Sequence, residues 1–216
     1  MKCSLKPTHF YSLGACAVVA LLSSCAATSV KKTWKSPDFQ GKPVSKIAVL
    51  TVDDRGYLRR GFENRFTSQL KEAGVTAIPS YELLSLPEIN RDKPAAAERL
   101  RSAGAEAIII MRLMDIATYY REVRPGGERY AETITGFESA GWYNYYSVAY
   151  TDMSPTYGNE KRHIYLQTGV FDLGTSKCLW TGLTETVFTE SMDRVAEMDP
   201  IVAKLLAAMR KDGVIP

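Results

Sequence analysis

Apolar and polar positions along the chain follow two periods, and those periods predict its elements. Lys46–Val52 (KIAVLTV) is a nearly continuous β-branched and apolar run, the pattern of a strand buried on both faces. Asp53-Asp54-Arg55-Gly56 follows as a turn with helix-capping residues. Over 57–73 the residues Leu58, Phe62, Phe66 and Leu70 fall four apart, an apolar stripe along one helix face, with Arg59, Glu63 and Lys71 elsewhere on it. Gly74 stands where a left-handed residue ends such a helix. Residues 75–78 read as a second strand closed by Pro79.

A second helix is predicted over 94–103, capped by Asp92, with Pro94 in its first turn and Gly104 beyond its end. Residues 107–116 (AIIIMRLMDI) form a third strand. Residues 119–160 then change character: they are rich in Tyr, Gly and Ser and broken at Pro125-Gly126-Gly127, an insertion of irregular or extended structure. Residues 162–173 and 179–188 flank Gly174-Thr175-Ser176-Lys177 as a β-hairpin. A closing helix over 193–211 carries Val195, Met198, Val202, Leu205, Leu206 and Met209 at helical spacing, with a restart at Pro200. The order strand–helix–strand–helix–strand, then hairpin and helix, argues for an α/β domain with a mixed, partly parallel sheet packed by helices.

The chain's start has a different logic. Lys2 and Lys6 precede an apolar stretch over 10–22, and the small residues Ser23 and Ser24 precede Cys25. This is the order of a secretory signal peptide. Leu22-Ser23-Ser24-Cys25 resembles the lipobox of bacterial lipoproteins. That resemblance implies removal of residues 1–24, a diacylglyceryl thioether on Cys25 and acylation of the new amino terminus. Ala26, rather than Asp, resembles outer-membrane sorting. A plain cleaved signal and an uncleaved anchor are the competing readings. The apolar stretch, however, falls short of the ~20 residues that a spanning helix needs. Residues 26–45 show little periodicity and read as a tether, with Trp34 and Phe39 as aromatic pins onto the domain or a partner.

Removing residues 1–24 from the 216 leaves 192, one domain over 46–216 behind the tether. Lys2 and Lys6 depart with the signal, so 25 basic residues face 24 acidic ones. A balance of +1 makes no case for nucleic acid or a polybasic membrane patch. Cys3 and Cys16 also depart and lipidation consumes Cys25, leaving Cys178 in an apolar run as a buried small hydrophobe.

His163 is the sole histidine after the signal, with no Cys or second His nearby to complete a metal site. GxSxG, P-loop and GxGxxG patterns do not occur. The expectation is a non-enzyme with no metal and no cofactor beyond the covalent lipid. Asp53 and Asp54, just past a strand's carboxyl end, are candidates for a polar site. The plainer alternative has one capping the helix and the other solvated, with Arg59 and Arg60 as ion-pair partners. Trp142, Tyr143, Tyr145, Tyr146 and Tyr150 are candidates for an interaction surface, against the alternative of a segment packing its own rings.

Thr33-Trp34-Lys35-Ser36-Pro37, Lys46-Ile47-Ala48-Val49-Leu50 and Arg59-Arg60-Gly61-Phe62-Glu63 resemble, as a set, a family of uncharacterised Gram-negative lipoproteins. Gly74-Val75-Thr76-Ala77-Ile78-Pro79-Ser80-Tyr81, the Tyr/Gly-rich middle, Phe171-Asp172-Leu173, Leu179-Trp180 and Lys211-Asp212-Gly213-Val214-Ile215 extend the likeness across the chain. More distantly, the first strand–helix–strand is similar to the amino-terminal domain of the Tol system's periplasmic propeller protein. It is also similar to the curli-export lipoprotein and to activator lipoproteins of peptidoglycan synthases. These resemblances imply an α/β layer in the periplasm, anchored to the outer membrane, that works through contact with an envelope protein. The rival expectation is a binder of a small apolar ligand or a cell-wall fragment.

Overall fold

The structure is a computed structural model that describes residues 27–39, 41–114, 141–151, 163–187 and 198–216. Its strands are β1 (Ala27–Lys35), β2 (Lys46–Val52), β3 (Thr76–Pro79), β4 (Ala107–Met114), β5 (His163–Asp172) and β6 (Cys178–Val187). They form one six-stranded sheet in the order β1-β6-β5-β4-β2-β3. β2 pairs in parallel with β3 and β4, and the remaining pairs are antiparallel. The helices are α1 (Gly56–Glu72), α2 (Leu86–Arg91), α3 (Lys93–Ser102), α4 (141–151) and α5 (Met198–Lys211).

Helices cover both faces of the sheet, which explains the unbroken apolar runs of the central strands. Ile47 and Val49 of β2 pack with Phe62, Phe66 and Leu70 of α1 and with Val202, Leu205 and Met209 of α5. The alternate residues Ala48, Leu50 and Val52 pack on the opposite face with Leu86, Ile89, Ala97, Leu100, Trp142, Tyr145 and Tyr146. Each fully buried Leu, Ile or Phe contributes roughly 1.5–3 kcal/mol, so the central strands hold both layers. The mixed, partly parallel α/β architecture is the expected one.

Local signals also hold. Gly74 and Gly104 end α1 and α3 at φ of 81° and 94°. Asp92 caps α3 by accepting from the Ala95 N–H at 2.9 Å. Cys178 is buried. Leu86–Arg91 adds a helix that periodicity does not announce, and a capping box between Ser85 and Glu88 starts it.

Residues 26–45 differ from the expected tether. From Ala27 to Lys35 they form edge strand β1, antiparallel to β6, with the register shifting between Val30 and Lys32. Trp34 packs against the α3–α4 core and Phe39 against the α1–α5 core, so both aromatics pin the segment to the domain itself. Cys25 and residues 1–24 lie outside the described residues, as does most of the 119–160 insertion. No helix among the described residues is long and apolar enough to cross a membrane.

Candidate functional site

The main chain leaves β2 at Val52 and turns through Asp53 and Asp54 into α1. Asp53 is 4% exposed. Its carboxylate accepts from the Arg55 N–H at 2.9 Å and from Arg55 Nε at 2.8 Å. It therefore closes the turn rather than capping the helix, whose N-cap is Arg55, without a side-chain bond. Asp54 is exposed.

Arg59 does not pair with these aspartates. Its Nε donates to Glu63 Oε1 at 2.9 Å, and its Nη2 donates to Ser80 Oγ at 3.0 Å and to the Leu84 carbonyl at 2.8 Å. Glu63 is fully buried and also accepts from the main-chain N–H groups of Thr51 at 3.1 Å and Tyr81 at 2.9 Å. Desolvation pushes its carboxyl above the ordinary value of 4.5, opposed by the Arg59 charge and these hydrogen bonds. The expected polar face of α1 is thus partly internal. Its ion pair ties the end of β2, the first turns of α1 and the loop after β3 into one unit.

Above that unit lies a cleft of about 600 Å³, at the carboxyl ends of β2 and β3. Asp53, Asp54, Arg59 and Arg60 line it together with Leu84, Leu86, Glu88 and Arg99. Glu88 is held below the ordinary carboxylate value, first by the Ser85 hydroxyl and then by the Ser85 main chain. Tyr150 also lines the cleft. The structure thus brings the expected polar pair and one member of the expected aromatic surface to a single place. An open α/β sheet offers ligands a crevice at this end of its strands.

The rest of the aromatic surface is corrected. Trp142, Tyr145 and Tyr146 are at most 1% exposed, packed on the sheet as the inner face of α4. Their positions repeat at helical spacing with Ala149, so the helix turns all three inward. Tyr146 donates its hydroxyl to the Leu86 carbonyl at 2.7 Å, and Tyr145 donates to the Gln167 carbonyl at 3.3 Å. Burial, followed by the neighbouring Tyr150, pushes the Tyr146 phenol far above its usual value. Of the five candidates, Tyr143 and Tyr150 are partly exposed. Through the Leu86 bond, α4 braces the α2 wall of the cleft, a role that composition does not reveal.

His163 is the first residue of β5. Among the described residues, no group of three or more His, Cys, Asp or Glu side chains is placed to hold a metal ion.

No family model matches the chain, and no curated protein matches its sequence, so the lipoprotein family stays a resemblance. Solved structures similar to it include the PelC dodecamer from Paraburkholderia phytofirmans, at 11% identity and a TM-score of 0.45 over 84% of this chain and 96% of that one. A point-substituted form of that PelC dodecamer is similar at 10% identity and a TM-score of 0.44, with the same coverage. Lipoprotein GNA1162 from Neisseria meningitidis is similar at 12% identity and a TM-score of 0.37, over 78% of this chain and 96% of that one.

Proposed function

We propose that this chain is a lipid-anchored protein of the cell envelope, attached through Cys25 to the outer membrane with its domain in the periplasm. It acts without catalysis, as an accessory or assembly module that binds an envelope protein partner. The observation that carries the non-catalytic reading is the state of the cleft's buried charges. Asp53 is engaged by Arg55, while Arg59 is engaged by Glu63, Ser80 and the Leu84 carbonyl. Groups used in this way hold the fold, and moving a proton or binding a reacting atom would first require breaking the network. The solvent-facing Asp54, Arg60 and Arg99 remain as recognition groups on the rim.

A second reading, binding of a cell-wall fragment, draws on the cleft itself. Its mixed charges and the Tyr150 ring suit a polar, charged ligand better than the apolar ligand that aromatic composition suggests. Photocrosslinking in intact envelopes from a probe at Asp54 separates the two. A discrete protein adduct supports the interaction module. Glycan adducts without any protein adduct would replace it with the binder.

A further inference from the structure

Residues distant in sequence meet beside β1, the strand that begins two residues after Cys25. Incorporating β1 into the sheet lays it next to α5, and a cleft of about 440 Å³ runs between them. Lys31, Lys32, Lys204 and Lys211 line it, together with Ala207 and Ala208. Asp212 is the acidic residue of the lining, and its carboxylate already accepts from Trp180 Nε1 at 2.7 Å. Lys31 is paired with Glu185, so Lys204 and Lys211, both exposed on α5, carry the outward charge. The near-neutral balance of the whole chain conceals this basic flank, because it joins residues from opposite ends of the chain.

Covalent geometry sets its place. Cys25 precedes Ala27 by two residues, and two residues span at most about 7 Å. The β1 residues of the cleft, Val30 to Thr33, lie three to six positions into the strand, roughly 10–20 Å from Ala27. Nothing resembling a long tether separates the lipid from this surface.

We propose that the β1–α5 flank seats on the bilayer, with its lysine-lined cleft against anionic phosphate headgroups. This rests on the lipidation of Cys25 proposed above. Anionic leaflets attract lysines held within a Debye length of the surface. The alanines between Lys204 and Lys211 let the helix approach closely. The sheet order then places β3 five strands away, at about 4.8 Å per strand, so the 600 Å³ cleft lies at the edge far from the membrane. The lipid would hold one edge down while the opposite edge faces a periplasmic partner.

The test uses the full acylated protein in vesicles of phosphatidylethanolamine and phosphatidylglycerol, with a headgroup-borne nickel chelate as relaxing agent. Nitroxides are placed by Ala207→Cys on the flank and by Thr76→Cys on β3, in a Cys178→Ala background. Strong relaxation at 207 and little at 76 is expected, with the difference collapsing in a Lys204→Glu/Lys211→Glu variant. Equal relaxation at both sites, or stronger relaxation at 76, overturns the orientation. A protein that takes up no palmitate and is absent from the membrane fraction fails the lipidation reading instead. The same fractions report both results.

Discussion

Arg59 Nε lies 2.9 Å from Glu63 Oε1, one helical turn along α1, and both side chains are buried. An i,i+4 pair on a helix surface contributes a few tenths of a kcal/mol, whereas removing one partner of a buried pair costs about 3–5 kcal/mol. Arg59→Met is therefore expected to destabilise the domain by about that amount at neutral pH. The loss is also expected to depend on pH. Burial already holds the Glu63 carboxyl above 4.5, and without Arg59 it rises further. The fold then binds this proton more tightly than the unfolded chain does. Stability falls as pH rises from 4.5 through the folded value. Urea denaturation across that window should show the deficit of Arg59→Met widening with pH; a constant deficit contradicts the assignment.

Tyr145 and Tyr146 are core residues, and substitutions should show it. Tyr145→Ala is expected to cost about 3–5 kcal/mol, as for other buried aromatics. Tyr146→Phe loses the bond to the Leu86 carbonyl and is expected to cost about 0.5–1.5 kcal/mol. Iodination of the native protein provides the check. Tyr57, 59% exposed, should react while Tyr145 and Tyr146 are protected. Early modification of either would contradict their placement.

Gly182 lets the Trp180 ring lie back across its own strand. A Cβ at position 182 would overlap that ring. Gly182→Ala is therefore expected to displace the indole from its bond to Asp212, at a cost of about 1–3 kcal/mol. The indole N–H resonance of Trp180 should shift on substitution; an unchanged resonance would show that the strand absorbs the methyl group elsewhere.

Cys178, 2% exposed, is expected to resist thiol reagents in the native protein and to react once denatured. Rapid native labelling would contradict its burial.

What could be read from residues alone follows from where each element sits. KIAVLTV, the Leu58–Phe62–Phe66–Leu70 stripe and the hairpin all lie in or on the central sheet, where burial imposes a clean pattern. β1 was illegible because an edge strand is half solvated, and its shift between Val30 and Lys32 breaks the period of two. α4 did carry its signal, with Trp142, Tyr145, Tyr146 and Ala149 at helical spacing, but Gly, Asn and Tyr are poor helix formers and disguised it. Of the cleft, Asp53 and Asp54 were foreseeable from the end of β2. The capping box between Ser85 and Glu88 was a readable start for α2. The inward turn of Arg59 and Glu63 was not readable, because a charged i,i+4 pair looks the same in sequence whether solvated or buried.

The claim that the chain is held at a membrane through Cys25 is tested most directly by metabolic labelling with radioactive palmitate. The account predicts label on the wild-type protein and none on Cys25→Ala, which should also leave the membrane fraction. An unlabelled wild type, or a Cys25→Ala variant that still takes up label, would contradict it.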